Sequence, residues 1–202
     1  SLQITETSFY LKQKEGAPEE FSHGLNGFDG FASYNYAAAY AALKKLGLES
    51  TEITTGFSEF CGLPHRLEFV AEKKNVVFIN DSKATNTGAV VGALQEMTSG
   101  VVLIAGGRGK GENYSLLRKS VDEKIHTLVL LGEAAGELKK CLGGVTVCID
   151  AQDMEDAVNK SYMAANQGDT VLLSPACASF DMFSSYGNRG DIFRQAVKAL
   201  SE

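Results

Sequence analysis

The chain has 202 residues, enough for one large domain or two small ones that each bury a core. Acidic residues number 25 against 19 Lys and Arg, so the net charge of -6 argues against nucleic acid or an anionic membrane as the partner. No run of apolar residues is long enough to span a membrane, and the first residues do not resemble a secretory leader.

The N-terminal part of the chain predicts a small α+β unit. Weak alternation predicts a strand over residues 3–12, and the charged residues 13–21 predict a loop or hairpin turn. The glycines of residues 25–30 predict an irregular segment. An Ala-rich helix is predicted over residues 31–46 and ends before Gly47. One side of this helix would be formed by Ala38, Ala41, Ala42 and Leu46.

A short helix and a linker follow. Ser50 is the predicted N-cap of this helix, which continues through Ile53 and Phe57. Gly62 and Pro64 then interrupt the pattern, so we expect the boundary between the two parts of the chain here.

Beyond this point, strand and helix patterns alternate. Runs at residues 67–70 and 76–79 predict an antiparallel hairpin. Further strands are predicted at residues 101–105, 127–131, 145–149 and 170–174. Helices are predicted at residues 89–97, 115–124, 133–141, 153–166 and 191–200. Because the strands are continuously apolar, this order predicts a mostly parallel sheet covered by helices on both faces, a Rossmann-like α/β fold.

The polar turn NDSKATN (residues 80–86) lies between a predicted strand and a predicted helix. In open α/β sheets anions bind at such turns, because free N–H groups and the helix dipole attract them. Asp81 could accept hydrogen bonds from ribose-type hydroxyls, while Lys83 supplies a positive charge for a phosphate or a developing oxyanion. Helix capping by Asp81 or Ser82 explains the spacing equally well.

Two further loops follow predicted strands. GGRGKG (residues 106–111) lets the backbone approach a ligand, but it is not a P-loop, because Gly111 follows Lys110. SPACAS (residues 174–179) could hold a carboxylate through exposed N–H groups and the hydroxyl of Ser179. A flexible surface loop and a tight structural turn are the alternatives.

The cysteines indicate a reducing environment. Cys61, Cys141, Cys148 and Cys177 form no CxxC pair, and no His lies at metal-ligand spacing from them. We therefore expect packed thiols, a cytoplasmic location and no metal site, and we do not expect Cys177 to be a nucleophile. Because a strand-like pattern begins at once and no Met precedes it, we also expect a fragment of a longer protein.

Four stretches, in this order and spacing, resemble the ATP-dependent Mur ligase family. They are GLPHR (residues 62–66), NDSKATN (80–86), GGRGK (106–110) and LSPACASFD (173–181). The resemblance implies a parent enzyme that adds D-glutamate to UDP-N-acetylmuramoyl-L-alanine through an acyl phosphate. It also implies that residues 1–62 are an α+β remnant of the central ATPase domain and that residues 63–202 form the Rossmann-like domain that binds D-glutamate.

The resemblance implies roles for individual residues. Lys83 would be the catalytic residue, stabilising charge on the phosphoryl oxygens. Contacts to D-glutamate are implied for Thr85, Lys110, Ser179, Phe180 and Tyr186, and contacts to the nucleotide for Asn35, Arg66 and Asp81. The chain departs from the family at Phe31 and Ala32, where a His-Asn pair is expected, and mildly at Tyr186, which is often Phe.

The resemblance implies ATP and Mg²⁺ as cofactors. We expect a monomer, and the negative net charge predicts no nucleic acid or membrane partner. The 202 residues contain no GKT loop, so we expect the chain to be inactive alone. A nicotinamide-dependent Rossmann oxidoreductase is an alternative supported by the fold alone, since the dinucleotide fingerprint turn is missing. A non-catalytic binding module is the other alternative.

Overall fold

The computed structural model describes residues 2–4, 8–11, 19–22, 31–98 and 100–201, which belong to two compact units, Ser1–Cys61 and Gly62–Glu202. The first unit contains an antiparallel sheet of β1 (Leu2–Ile4), β2 (Ser8–Leu11) and β3 (Glu19–Ser22). The single strand predicted over residues 3–12 is wrong, because β1 and β2 pair antiparallel within it. Apolar and polar residues alternate in a single long strand and also in two short strands that pair with each other. A weak alternation in the sequence therefore cannot distinguish the two arrangements. The segment predicted to be irregular, residues 25–30, lies outside the described residues.

The described part of the first unit also contains the helices α1 (Phe31–Lys45) and α2 (Ser50–Glu59). The helix predicted over residues 31–46 is confirmed, but its predicted side is wrong: Tyr40 is buried against Ile53, whereas Leu46 is 77% exposed. The Tyr40 hydroxyl donates a hydrogen bond to Ser50 Oγ at 2.7 Å. An aromatic ring buries more apolar area than alanines do, which explains why Tyr40 sets the packed face. The predicted cap Ser50 is the first helical residue instead, behind a capping box at Glu49.

Six strands form the sheet of the second unit, in the order β4-β5-β9-β6-β7-β8. Their bounds are β4 (Glu68–Lys73), β5 (Val76–Asn80), β6 (Val101–Gly106), β7 (Ile125–Leu131), β8 (Val147–Asp150) and β9 (Thr170–Leu173). β4 and β5 pair antiparallel, and the remaining pairs are parallel. The predicted hairpin and the predicted mostly parallel sheet are therefore confirmed.

Helices cover both faces of this sheet, as predicted. Their bounds are α3 (Thr87–Gln95), α4 (Arg118–Lys124) after a 3₁₀ turn (Tyr114–Leu117), α5 (Ala135–Leu142), α6 (Met154–Ala164) and α7 (Tyr186–Ala199). Successive strand residues point to opposite faces, so Leu103 packs with α3, α4 and α5 while Val102 packs with α6 and α7. None of the helices in the described part of the chain is long and apolar enough to cross a membrane.

Helix α7 begins at Tyr186, five residues before the predicted start at residue 191. Gly187 and Gly190 disfavour a helix by propensity, which hid the first turn. Ser185 caps it by accepting a hydrogen bond from the N–H of Asn188 at 3.0 Å. A Cβ at position 190 would lie 2.2 Å from His65 Nδ1, so the glycine allows the close packing of α7 on His65.

We predict that Gly190→Ala destabilises the second unit by about 1–3 kcal/mol, because the added methyl group overlaps the buried side chains of His65 and Asn80. Gly136→Ala on α5 is the matched control, since a Cβ there meets no atom within 4 Å. It should stabilise the unit by about 0.5–1 kcal/mol through helix propensity. Urea unfolding followed by NMR signals of β6 and β9 measures both, and equal effects of the two substitutions would contradict the packing described here.

Candidate functional site

Three loops meet at the carboxyl edge of the parallel strands. They are the β5 loop (residues 81–86), the β6 loop (residues 107–113) and the β9 loop (residues 174–185). Because β9 lies between β5 and β6, its loop contacts both of the others. Ala178 and Arg108 exchange backbone hydrogen bonds of 3.1 and 2.9 Å, and the Ala176 N–H donates to the carbonyl of Ala84 at 3.0 Å. Segments distant in the sequence are thus joined through their backbones.

A buried arginine donates hydrogen bonds to two of these loops. Arg189, in the first turns of α7, is 1% exposed. Its Nε and Nη2 donate to the hydroxyl and the carbonyl of Ser82 at 3.0 and 2.9 Å, and its Nη1 donates to the carbonyl of Cys177 at 3.1 Å. Burial lowers the pKa of Arg189 to about 10, so the guanidinium remains charged at neutral pH. It places a fixed positive charge beneath the β5 and β9 loops.

Lys83 and Tyr186, both predicted site residues, are brought together. The Lys83 Nζ lies 4.0 Å from the centroid of the Tyr186 ring, within the range of a cation–π interaction. The Ser82 hydroxyl donates to the Tyr186 carbonyl at 2.8 Å, and the Lys83 N–H donates to the carbonyl of His65 at 3.0 Å. Lys83 is otherwise exposed, so its ammonium group is available to an anion at the rim of the site.

Asp81 and Arg66 also come together, but Asp81 is enclosed. Its side chain is 5% exposed, with Oδ2 accepting from Ser174 Oγ at 2.9 Å and Oδ1 from the Leu67 N–H at 3.4 Å. Burial raises the pKa of Asp81 to about 6, although these hydrogen bonds and the charge of Arg66 oppose the rise. Arg66 itself is exposed. A ribose at this position would have to share carboxylate oxygens that already accept hydrogen bonds.

The start of α3 is not arranged as the spacing suggested. The N-cap is Asn86, whose side chain accepts from the Ala89 N–H at 2.8 Å, so capping by Asp81 or Ser82 is wrong. The helix begins at Thr87, too far along the chain for either residue to cap it. The Thr87 N–H and hydroxyl donate to Glu112 Oε2 at 3.2 and 2.9 Å. A carboxylate of the chain itself thus occupies the position expected for a bound anion.

The other predicted residues have different exposures. Lys110 and Phe180 are exposed, Phe180 by 64%, and Thr85 is half-buried. Ser179 is 2% exposed, and its carbonyl accepts from the Phe183 N–H at 2.8 Å within a turn. All of the predicted site residues except Asn35 belong to the Gly62–Glu202 unit; Asn35 is an exposed residue of α1. Their assigned roles stay predictions.

Cys177 has the surroundings of a packed thiol. It is fully buried, its Sγ lies 3.1 Å from the Tyr114 hydroxyl, and burial raises its pKa. A raised pKa disfavours the nucleophilic thiolate. Within residues 31–98, 100–201 and the three short strands, no group of three or more His, Cys, Asp and Glu side chains is arranged to hold a metal ion.

Sequence reasoning missed the polar residues that hold the loops. The role of Arg189 is not predicted, because the predicted helix begins at residue 191, after Arg189. His65 and Asn80 form a buried pair with 3.0 Å between Nδ1 and Nδ2, and Asn80 Nδ2 also donates to Glu68 Oε2 at 3.0 Å. A polar residue at the end of a buried apolar strand, such as Asn80, is the signal that could have identified this pair, since buried polar groups require partners.

Residues 65–177 match the family described as Mur ligase, glutamate ligase domain. The chain is 46% identical over 170 residues to the UDP-N-acetylmuramoylalanine–D-glutamate ligase of Hahella chejuensis, a match covering 82% of this chain and 38% of that protein. It thus spans well under half the length of this relative.

Solved structures share the fold. A pseudomurein peptide ligase type C from Methanothermus fervidus has a TM-score of 0.70 at 19% identity, covering 98% of this chain and 41% of the other. The MurF ligase from Thermotoga maritima, solved in complex with ADP, has a TM-score of 0.61 at 14% identity, covering 98% of this chain and 46% of the other. At these identities the likeness extends to the fold alone.

We predict that Asp81→Asn stabilises the chain in a pH-dependent way. Because burial raises the pKa of Asp81 from 3.8 to about 6, the folded state loses stability as the pH rises through this interval and keeps the deficit above it. The variant lacks this charge, so its free energy of unfolding at pH 7.5 should exceed that of the wild type by up to about 3 kcal/mol.

The difference between Asp81→Asn and the wild type should shrink as the pH falls from about 6 towards 3.8, and it should approach zero below 3.8, where Asp81 is protonated in both the folded and the unfolded state. Asp122→Asn, at an exposed position of α4, is the matched control for the removal of one carboxylate elsewhere in the chain. Urea unfolding at several pH values measures the difference, and an offset that is constant with pH would contradict the assignment.

Proposed function

We propose, for a chain that belongs to the Mur ligase family, that it forms the amino-acid-binding part of an ATP-dependent ligase. The parent protein would join D-glutamate to UDP-N-acetylmuramoyl-L-alanine in the cytoplasm during peptidoglycan synthesis. The identity of 46% to a relative with that ligase name supports the substrate assignment. The observation that carries the proposal is the backbone bridge between Arg108 and Ala178, which brings the loop of Lys110 next to the loop of Ser179.

D-glutamate carries two carboxylates, and the three loops offer groups that suit them. Lys110 supplies an ammonium ion, while Thr85 and Ser179 supply hydroxyl donors. The buried guanidinium of Arg189 adds positive potential, because its hydrogen bonds go to a hydroxyl and two carbonyls, and the Asp181 carboxylate offsets part of this potential. Phe180 and Tyr186 would pack against the carbon chain of the ligand. These features favour a small dianion over a neutral amino acid.

Lys83 is the residue that we assign to catalysis. ATP supplies the phosphoryl group that turns the substrate carboxylate into an acyl phosphate. The neutral amine nitrogen of D-glutamate attacks the carbonyl carbon, and the bond from that carbon to the phosphate oxygen breaks. Phosphate leaves with the bonding electron pair, and it can accept the proton that the nitrogen gives up. Negative charge grows on the oxygens along this path, and the Lys83 ammonium ion offsets it. Its contact with the Tyr186 ring restricts the long side chain, which lowers the entropic cost of positioning it.

We also propose which residues contact the nucleotide and which parts of the ligase lie elsewhere in the parent protein. Arg66, Asp81 and Asn35 would contact the nucleotide. We assign residues 1–62 to the end of the central ATPase domain and residues 63–202 to the D-glutamate-binding domain. The P-loop, the Mg²⁺ ligands and the UDP-binding domain would be supplied by the rest of a monomeric parent. This chain alone would then bind D-glutamate without turning it over.

We predict that the 202-residue chain binds D-glutamate with an affinity near the millimolar range, since a small ligand makes few contacts. Chemical-shift changes should cluster in the β5, β6 and β9 loops. Lys110→Met should abolish them by removing the ammonium ion. Lys119→Met removes a positive charge from an exposed position on α4 and should leave them intact.

L-glutamate is the ligand control for this titration, and its shift pattern in the three loops should differ from that of D-glutamate. Changes confined to the Ser1–Cys61 unit, or identical responses to both enantiomers at every loop, would exclude the assignment.

We predict that Lys83→Ala in the full-length parent lowers kcat by about 10²–10³-fold with a smaller effect on KM, because the lost charge acts mainly in the transition state. Tyr186→Phe keeps the ring and should change kcat much less. Steady-state kinetics of phosphate release measures both. A larger effect of Lys83→Ala on KM than on kcat would assign Lys83 to binding only.

A further inference from the structure

We propose that Glu112 is a positioning residue: its carboxylate ties the β6 loop, and with it Lys110, to the start of α3 two residues after Thr85. The ligand in this inference rests on the proposed function. The tether itself can be measured without a ligand, so the two can fail separately. Glu112 would not touch the substrate; it would act through Lys110.

The contact between Glu112 and α3 is well formed. Oε2 of Glu112 accepts from the Thr87 hydroxyl at 2.9 Å and from the Thr87 N–H at 3.2 Å. Thr87 is 5% exposed, so the bonds are shielded on one side from water. The first N–H groups of a helix have no partner within the helix, and a negative charge is favoured there by the helix dipole. The carboxylate therefore fits the position in both geometry and charge.

The loop needs such a tether because of the residues that flank Lys110. Gly109 and Gly111 stand on either side of it, and Gly111 has a φ of +74°. Glycine loses more conformational freedom on ordering than other residues do. On one side the loop is fixed by the backbone bridge between Arg108 and Ala178, with the Arg108 guanidinium held by Glu133 at 3.1 and 3.2 Å. Glu112 provides the corresponding fixed point on the other side.

Charge and tethering make opposite predictions for this residue. Glu112 carries a negative charge near a site proposed for a dianion, so by Coulomb's law alone its removal should strengthen anion binding. If Glu112 orders Lys110, its removal should weaken binding instead. The sign of the effect therefore separates the two roles.

The test compares variants of the 202-residue chain. Glu112→Ala removes the tether, Glu112→Gln keeps an oxygen that can accept the same bonds without the charge, and Thr87→Val removes the donor hydroxyl. Glu155→Ala, at an exposed position of α6, removes the same charge elsewhere. Backbone ¹⁵N order parameters of residues 107–113 are measured first without ligand, and D-glutamate affinity is then measured by chemical-shift titration.

We expect Glu112→Ala to lower the order parameters around Lys110 below about 0.6 and to weaken D-glutamate binding about tenfold. Thr87→Val should also lower the order parameters around Lys110 and weaken D-glutamate binding. Glu112→Gln should bind D-glutamate with an affinity within about threefold of the wild type. Glu155→Ala should bind it as tightly as the wild type does.

Glu112→Ala with unchanged loop order, or with binding as tight as or tighter than the wild type, overturns the tether. If the wild-type chain binds no D-glutamate, the proposed function fails, and the order parameters alone decide whether Glu112 holds the loop.

Discussion

The site depends on the enclosure of one guanidinium group. Arg189 is almost completely buried, and its hydrogen bonds go to Ser82 and Cys177. A buried charge without partners would cost several kcal/mol, so these oxygens must stay where the guanidinium can reach them. The buried guanidinium must keep these hydrogen-bond partners, and this requirement holds the β5 and β9 loops in one arrangement. Gly190, the next residue, lets α7 approach His65 closely enough for Arg189 to reach both loops.

Strand order explains why these loops meet at all. β9 is the last strand in the chain, yet it lies between β5 and β6 in the sheet. Parallel pairing puts the carboxyl ends of all three strands at one edge, where ligands bind in open α/β sheets. The loop with Ser179 is thereby inserted between the loop with Lys83 and the loop with Lys110. The last strand completes the site, so the site forms only when the whole domain has folded.

The sequence predicted the parts of this arrangement that depend on local patterns. The β4–β5 hairpin, the parallel strands and the three polar loops follow from apolar runs bounded by turn residues. The role of Arg189 could not be predicted, because its partner Ser82 is more than a hundred residues away and two glycines hid the start of α7. The bond between Glu112 and Thr87 was missed for the same reason, since a side-chain contact between loops leaves no periodic signal. Similarly, Tyr40 is buried because it packs against Ile53 of α2, whereas Leu46 remains exposed. The helical pattern of α1 alone does not predict this contact.

Arg189 holds two loops as one structural unit, and the substitution Arg189→Met tests this most directly. Methionine fills similar volume and removes every donor, so the β5 and β9 loops lose their common anchor while the core keeps its apolar packing. Amide hydrogen exchange should accelerate together in residues 82–86 and 176–181 and stay unchanged in β7 (Ile125–Leu131). Acceleration confined to the first turn of α7, with both loops still protected, would contradict the account.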